Sequence, residues 1–317
     1  MPKISIIVPI HNVEKYVSAC LESLIHQTLS DIEIICVDDR GNDKSMQIVR
    51  KFANSDKRIK IIRNWRNRGL SYSRNHGMRH AQAPYIMFCD SDDMFACDTC
   101  QVMLQAIEDN NSDVAVCGIN VLYEANHELK DSDNIFFSIR QNTTFEISRA
   151  NHGFCYGAAW GKIFRTDIIK QHKIKFPVGL KHEDEFFWPV YTLWAKKVTF
   201  VTEKLYTYRR RAGSIMNIAY QKSVLNIDPL KITSAYFDYC NKNGIFHEVC
   251  DWFWFHMFPT MFTAALNYSG KKNSILCMKY ARRFIRKNYQ YYGLDPATIN
   301  KINSIYTYIN SEIMKKA

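Results

Sequence analysis

The sequence predicts an α/β fold with a mostly parallel sheet flanked by helices, followed by a helical C-terminal region. Between residues 3 and 122, short runs rich in β-branched residues alternate with stretches of helical length. Connections of this length allow βαβ crossovers, which place successive strands parallel in one sheet. From Ser223 onward the pattern becomes helical, strongly aromatic and basic. We therefore expect an α/β part and a helical part.

The individual elements follow from hydrophobic periodicity. Short, continuous apolar runs are typical of buried strands, and they predict strands over residues 4–10, 32–37, 59–62, 85–89 and 114–121. Over residues 13–27, the apolar side chains form one helical stripe, at Val13, Val17, Leu21, Leu24 and Ile25. Further helices are predicted over residues 44–53, 70–80 and 99–110.

The composition is that of a folded protein in a reducing compartment. Hydrophobic residues make up 47% of the 317 residues and charged residues 23%, which excludes a disordered chain. Several of the ten cysteines lie in apolar runs, as buried free thiols do, and the single CxxC at Cys97 and Cys100 has no second pair for a zinc ribbon. The first residues lack the features of a signal peptide, and no apolar run is long and clean enough to span a bilayer. We expect a cytoplasmic protein.

The net charge of +11 favours polyanionic partners: nucleic acid, an anionic membrane or phosphorylated small molecules. We expect no nucleic acid, because no recognised nucleic-acid motif is present and the acidic clusters would repel phosphates. A basic nucleic-acid- or polyanion-binding protein without catalysis remains the alternative. The C-terminal basic and aromatic residues allow either membrane approach or core and dimer contacts. The first interpretation rests on Trp252, Trp254, Lys271, Lys272, Arg282, Arg283 and Arg286, and the second on Trp252, Phe255, Phe258 and Phe262.

Two acidic clusters follow strand-like runs. Asp38 and Asp39 come after "EIICV", and the run Asp90, Ser91, Asp92, Asp93 comes after "YIMFC". The carboxyl ends of parallel strands meet at the ligand-binding edge of a sheet. Carboxylates two residues apart can hold a hard divalent ion that bridges diphosphate oxygens. Turn formation or helix capping is the simpler interpretation, but the repeated position at strand ends favours a site.

Three further polar clusters admit both a functional and a structural interpretation. "NRGLSYSRNHG", with Gly69 and Arg74, suits phosphate or base recognition, or is a solvated basic helix face. "KHEDEFF" offers a general base, or is the acidic first turn of a helix. Arg209 to Arg211, in "YTYRRR", suit a diphosphate clamp, or face solvent.

The order of these segments resembles that of family 2 glycosyltransferases with the GT-A fold. The resemblance covers roughly residues 3 to 216. It rests on "SIIVPIHN" to "CVDD", on "NRGLSYSRNHG" leading to the "DSD" of "CDSDD", and on "AAWGKIFR", "HEDEFF" and "YTYRRRAGSI". One departure is Arg40, where the family commonly has glycine, and it adds a side chain near the nucleotide. A nucleotidyltransferase is disfavoured because the first strand ends without a glycine-rich loop.

The resemblance implies a Rossmann-like GT-A domain over residues 1–218 and a helical extension over 219–317 for acceptor, membrane or oligomer contacts. It implies inverting transfer of a hexose or N-acetylhexosamine from a UDP-sugar to a glycan hydroxyl in bacterial surface-glycan or glycoprotein synthesis. Asp184 would be the base with Glu183 beside it, and Asp92 and Asp90 would bind Mn²⁺ or Mg²⁺. Trp160 and His182 would contact the acceptor. The nucleotide-sugar would be bound by Pro9, Asn12, Glu14, Asp38, Asp39, Gly69, Arg74, Asn75, Asp90, Ser91, Lys162, Arg209 and Arg211. A lipid-linked acceptor, peripheral attachment to the inner face of the plasma membrane and a homodimer are left open.

Overall fold

The computed structural model describes residues 1–131, 142–212, 225–288 and 295–315. These residues belong to two compact units. The first contains Met1–Ser148, His152–Gly179 and Glu183–Arg211, and the second contains Arg149–Asn151, Leu180–His182 and the chain from Ala212. The predicted domain boundary at residues 218 and 219 lies outside the described residues.

The first unit is built on one mixed sheet, which has ten strands in the described part of the chain. Its strands are β1 (Ile4–Ile10), β2 (Ile32–Asp38), β3 (Ile59–Arg63), β4 (Tyr85–Phe88), β5 (Met94–Phe95), β6 (Val114–Tyr123), β7 (Glu128–Asp131), β8 (Thr143–Glu146), β9 (Lys162–Arg165) and β10 (Lys197–Arg210). Their order is β3-β2-β1-β4-β9-β6-β10-β5, with β7 also paired to β6 and β8 to β10. All five predicted strands are present within two residues of their predicted ends.

The sheet is mostly parallel, as predicted. β1 pairs in parallel with β2 and β4, β2 with β3, and β6 with β10. β9 is the exception, because it runs antiparallel between β4 and β6. Because β4 and β6 both run antiparallel to β9, they run parallel to each other. The carboxyl ends of β1, β2, β4 and β10 therefore lie at one edge of the sheet.

The helices of the first unit are α1 (Val17–Ile25), α2 (Ser45–Ser55), α3 (Leu70–His80), α4 (Thr99–Asp109), α5 (Thr166–Gln171) and α6 (Asp184–Thr192). The first helix begins four residues later than the predicted residue 13. The reason is that Val13 donates its backbone N–H to Ser45 Oγ at 2.8 Å and Glu14 donates its own to Asp43 Oδ2 at 2.9 Å. These bonds hold the segment as a loop against the start of α2.

Close packing fixes α3 and α6 against the sheet. A Cβ at Gly77 in α3 would lie 2.4 Å from the Ile7 side chain, so the absent side chain lets α3 lie directly on β1. On α6, Phe187 stacks on Phe176 with ring centroids 4.1 Å apart and contacts Phe88 of β4 edge-on at 5.8 Å. Aromatic pairs of this kind add to the burial free energy. These contacts hold the first turns of α6 against the sheet.

The second unit is helical, as predicted. Its described helices are α7 (Asp228–Lys242), α8 (Phe246–Trp252), a π-helical segment (Phe253–Met257), α9 (Phe258–Asn288, interrupted at Gly270) and α10 (Pro296–Met314). Phe258 and Phe262 are buried, as the interpretation of core or dimer contacts expects, whereas Phe255 is 39% exposed. Trp254, which the membrane interpretation included, is also buried. The side chains of Lys271 and Lys272 lie outside the described part. No described helix combines the length and the apolar character required to cross a bilayer.

Candidate active site

Polar side chains gather where β1, β2, β4 and β10 end. Asn12 and Glu14 follow β1, Asp38 ends β2 and Asp39 follows it, the cluster Asp90–Asp93 follows β4, and Arg209 lies near the end of β10. Because these ends share one edge of the sheet, the structure brings together the segments that the sequence separates by up to two hundred residues. Their roles as ligands stay predictions.

The carboxylate of Asp39 organises the loop between β3 and α3. Its Oδ1 accepts hydrogen bonds from Asn64 Nδ2 at 2.7 Å and from the backbone N–H of Arg68 at 2.8 Å. Its Oδ2 accepts from the backbone N–H of Gly69 at 2.8 Å. Gly69 has a φ of 81°, a conformation that favours glycine, and it immediately precedes α3. Asp39 therefore sets the position of the loop that enters α3.

Arg40 occupies a position that explains the glycine usual in the family. Its φ of 60° lies in the left-handed region. Its Nε donates to the carbonyl oxygen of Asn64 at 2.8 Å, and its backbone N–H donates to Asp38 Oδ1 at 2.9 Å. The added side chain is thus bonded to the neighbouring loop.

The segment after β1 is bonded to the loop that precedes α2. Asn12 Oδ1 accepts the backbone N–H of Asn42, and Glu14 Oε2 accepts that of Lys44, both at 2.9 Å. A Cβ at Gly41 would lie 2.7 Å from Asn12 Oδ1, so the close approach requires glycine. Pro9 is buried within β1. Asn12 and Glu14 thus hold the loop that precedes α2, and contact of these three predicted donor-binding residues with a ligand stays a prediction.

Asp90 and Asp92 each offer one carboxylate oxygen. Asp90 Oδ1 pairs with Arg74 Nη2 and Asp92 Oδ2 with Arg211 Nε, both at 2.7 Å. The second oxygen of each has no hydrogen-bond partner among the described residues. Burial raises the pKa of Asp92, as does the charge of Asp90, while Arg211 opposes them. Ser91, between them, is buried.

This donor set fits Mg²⁺ or Mn²⁺, both of which bind carboxylate oxygens. In the part of the chain that the structure describes, no cluster of three or more His, Cys, Asp or Glu side chains could hold a metal ion. Two carboxylates completed by water and substrate phosphates are a usual arrangement for Mg²⁺. Asp90 and Asp92 therefore suit a metal that arrives with, or is completed by, a diphosphate.

Arg74 bridges the acidic cluster to the start of α6. It is 1% exposed, and its Nη1 binds Glu183 Oε1 at 2.6 Å while its Nη2 binds Asp90 Oδ1 at 2.7 Å. Burial lowers the pKa of Arg74, but Asp90, Glu183 and Asp184 outweigh it and raise that pKa above its usual value. Burial raises the pKa of Glu183 to about 7, against the effect of Arg74. The sequence predicted a nucleotide contact, whereas two of the three guanidinium nitrogens are engaged in internal ion pairs.

Asn75 also acts on α6 through the backbone. Its Nδ2 donates to the carbonyl oxygen of Phe176 at 2.8 Å and its Oδ1 accepts the N–H of Phe176 at 2.9 Å. Since Phe176 stacks on Phe187 of α6, Asn75 supports the helix that carries Asp184 as its first residue. Asp184 itself is half-buried. Asn75 therefore helps to position α6, and its contact with the nucleotide stays a prediction.

Lys162 is enclosed by protein. It is completely buried, and its Nζ donates to the carbonyl oxygens of Tyr156 at 2.9 Å and Ala158 at 2.7 Å. Burial lowers its pKa to about 8. The buried ammonium group therefore holds the 156–162 turn, and its predicted place in the donor site stays a prediction.

The two predicted acceptor residues lie in different units. Trp160 is 6% exposed, and its ring stacks on Tyr206 at 4.8 Å and on Tyr208 at 5.3 Å. His182 belongs to the second unit, where its ring stacks on Tyr268 at 4.9 Å. Trp160 thus acts as packing for β10, and contact of either residue with an acceptor stays a prediction.

Two residues to which the sequence analysis gave no role of their own, Asp93 and Tyr206, complete the site. Asp93 is 1% exposed, and it accepts the hydroxyl of Tyr206 at 2.5 Å and the backbone N–H of Arg209 at 2.7 Å. Burial raises its pKa, and the charges of Asp92 and Asp90 raise it further. Asp93 stands in the acidic cluster and could have been found there. Tyr206 is one of many aromatic residues, and no local signal marks it.

The arginines at the end of β10 enclose Asp92. Arg209 Nε donates to the backbone oxygen of Asp92 at 2.9 Å, and Arg211 pairs with its carboxylate. Both guanidinium groups lie over the ring of Tyr16, at 5.3 and 4.8 Å from its centroid. Two cations beside the acidic cluster are placed to meet an anionic group there.

The mixed sheet, its flanking helices and the acidic edge define a protein with the GT-A fold. Residues 5–172 match the model of the family described as "Glycosyl transferase family 2", which is more than half of the chain. The chain belongs to this family.

Relatives and solved structures agree with the assignment. The chain is 35% identical over 226 residues to "Putative glycosyltransferase EpsH" of Bacillus subtilis (strain 168), covering 70% of this chain and 65% of that protein. It is 29% identical over 261 residues to "Poly(ribitol-phosphate) beta-N-acetylglucosaminyltransferase TarS" of Staphylococcus aureus (strain MW2), covering 78% of this chain and 44% of that protein. The crystal structure of S. aureus TarS 1–349 in complex with UDP-GlcNAc superposes with a TM-score of 0.71 at 20% identity, covering 99% of this chain and 92% of that one.

Proposed function

We propose that the chain transfers a hexose or an N-acetylhexosamine from a UDP-sugar to a hydroxyl of a glycan acceptor, in bacterial surface-glycan or glycoprotein synthesis. One observation carries the proposal: the buried Arg74 joins Asp90, a candidate ligand of the donor's metal, to Glu183, beside the candidate base. A transferase needs these two groups on either side of one reacting carbon. The TarS structures with UDP-GlcNAc and with UDP support the choice of nucleotide.

Asp90 and Asp92 would hold Mn²⁺ or Mg²⁺ through the oxygens that the arginines leave available. When bound, the ion supplies positive charge to the diphosphate leaving group. Arg209 and Arg211 lie beside Asp92 and would add to that charge. This arrangement stabilises the departing nucleotide more than the bound donor, which is how such a site lowers the barrier.

Asp184 would accept the proton of the acceptor hydroxyl as the hydroxyl oxygen bonds to the anomeric carbon. The bond between that carbon and the diphosphate oxygen breaks in the same step, and the diphosphate leaves with the electron pair. Attack from the face opposite the leaving group inverts the anomeric configuration, and no covalent nucleophile is required. Glu183, held by Arg74, would fix the first turn of α6 so that Asp184 points to the acceptor.

The test is a donor-hydrolysis screen with UDP-, GDP- and CMP-sugars, in Mn²⁺ or in EDTA. Wild type should release UDP, EDTA should abolish the release, and Asp92→Asn should lower it by at least about 100-fold, since it removes a charge from the metal site. Asp109→Asn is the matched control, because Asp109 is exposed at the end of α4. It should behave as wild type.

An acceptor-dependent reaction with Asp184→Asn separates the base from donor binding. This variant should bind UDP with Mn²⁺ as wild type does, measured by calorimetry, and should lose transfer. If no donor released its nucleotide and no metal-dependent UDP binding were detected, the polyanion-binding alternative would instead be favoured. The division of labour between residues 1–218 and 219–317 stays a prediction.

A further inference from the structure

We propose that one face of helix α9 binds the surface of an anionic membrane. Lys279, Arg282, Arg283, Arg286 and Lys287, here called the cationic face, line a cavity of about 510 Å³. The face lies within the second unit. None of its five residues is among those named for the donor or the acceptor, so the proposal does not rest on the proposed function.

The cationic face is one side of an amphipathic helix. At 100° per residue its five side chains fall within a sector of about 140°. The opposite side of the same turns is apolar and buried, at Cys277, Met278, Ala281 and Ile285. Leu276, which is 51% exposed, lies within the cationic sector. The core is therefore covered by one side of α9, and the other side faces solvent with positive charge.

No carboxylate of the described residues neutralises this positive charge. None of the five side chains forms an ion pair with a carboxylate of the described residues, and Arg282 contacts only the amide oxygen of Asn310, at 3.5 Å. The negative end of the helix dipole favours Arg286 and Lys287, which lie in the last turn. The helix dipole does not stabilise the charges of Lys279, Arg282 and Arg283, because these residues lie further from the helix end. Five crowded cations repel one another, and a surface with several negative charges relieves that repulsion.

The geometry favours a lipid surface over a nucleic-acid strand. The five cations extend for about 12 Å along the helix, from the rise of 1.5 Å per residue. Clusters of four to eight lysines and arginines on an amphipathic helix bind anionic lipid headgroups. Single-stranded nucleic acid is instead held by aromatic stacking beside the charges. Among the described residues, no ring lies under any of the five cations, and the exposed apolar neighbour is the aliphatic Leu276.

The experiment is co-sedimentation of the full chain, without donor, with two kinds of vesicle. One kind is phosphatidylcholine and the other is phosphatidylcholine and phosphatidylglycerol in equal parts. Wild type should bind only the anionic vesicles, and less at high salt. Each basic residue near such a surface contributes about 1 kcal/mol, or about fivefold in partitioning. Arg283→Gln/Arg286→Gln should therefore bind about 30-fold more weakly, and Arg283→Lys/Arg286→Lys should bind as wild type does.

Arg50→Gln/Lys51→Gln is the matched control, because it removes two exposed cations of α2 and changes the net charge equally. It should bind nearly as wild type. The proposal would be overturned if both glutamine variants lost vesicle binding equally, or if wild type bound both kinds of vesicle equally well. A preference for soluble polyphosphate over the vesicles would also overturn it. Unchanged thermal unfolding and unchanged UDP binding of the Arg283/Arg286 variants would show that the change is confined to the surface.

Discussion

Replacing Arg74 by methionine tests whether the buried bridge holds the site together. Methionine is uncharged and shorter than arginine, so it fills only part of the space, and Asp90 and Glu183 lose their partner at 2.7 and 2.6 Å. Breaking a buried ion pair from one side costs about 3–5 kcal/mol, because the remaining charge has no compensation. The side chain of Glu183 is 8% exposed and that of Asp90 is 25% exposed, so most of the cost falls on Glu183.

The cost should depend on pH. Burial already raises the pKa of Glu183 to about 7 in the presence of Arg74, and loss of the guanidinium raises that pKa further. The variant then binds more protons than wild type near neutral pH, so its relative stability falls as pH rises. We expect a loss of about 3 kcal/mol at pH 8 and a loss at least about 1 kcal/mol smaller at pH 6. Donor hydrolysis should fall about 100-fold, the scale of a misplacement of 1 Å.

Urea unfolding at both pH values measures the loss, and donor hydrolysis measures its effect on the site. Arg79→Met is the control, because Arg79 is exposed on the same helix, and it should cost less than about 1 kcal/mol. The double variant Arg74→Met/Glu183→Gln should recover part of the stability, since the buried charge is gone. A cost below about 1 kcal/mol for Arg74→Met, or additivity in the double variant, would refute the bridge as a stabilising element.

Three further predictions concern the loop at Gly41, the bond between Tyr206 and Asp93, and the carboxyl group of Glu183. Gly41→Ala places a Cβ 2.7 Å from Asn12 Oδ1 and should cost about 1–3 kcal/mol while weakening UDP binding in calorimetry; an unchanged melting temperature would contradict this. Tyr206→Phe removes the hydroxyl that donates to the buried carboxyl of Asp93, and should cost about 1–3 kcal/mol in urea unfolding; a cost under about 0.5 kcal/mol would show that the bond adds nothing. The pKa of Glu183, raised from 4.5 to about 7, means that the folded state binds more protons than the unfolded state in that window, so the group's contribution to stability falls as pH rises through it. Glu183→Gln should remove that slope from melting curves recorded between pH 5 and 8, and a slope equal to that of wild type would disprove the assignment.

The alternation of strands and helices was enough to predict the fold, because hydrophobic period and turn residues act locally. The predicted bounds of α3, residues 70–80, match the observed helix, and the five predicted strands lie where the apolar runs placed them. β9 was missed because it is four residues long and its direction is set by its neighbours β4 and β6. Nothing within "KIFR" indicates an antiparallel strand.

The sequence by itself determined which polar segments share one edge of the sheet: the acidic clusters come at the ends of β2 and β4, and the carboxyl ends of parallel strands meet at one edge. Only the tertiary structure decided what individual side chains do there. Arg74 and Lys162 looked like ligand-binding cations, and both are buried and bonded within the protein. A cation that meets a phosphate and one that meets an internal carboxylate or carbonyl are identical in the sequence. Which partner a cation meets depends on contacts with distant parts of the chain, such as the bond between Arg74 and Glu183, which are separated by 109 positions.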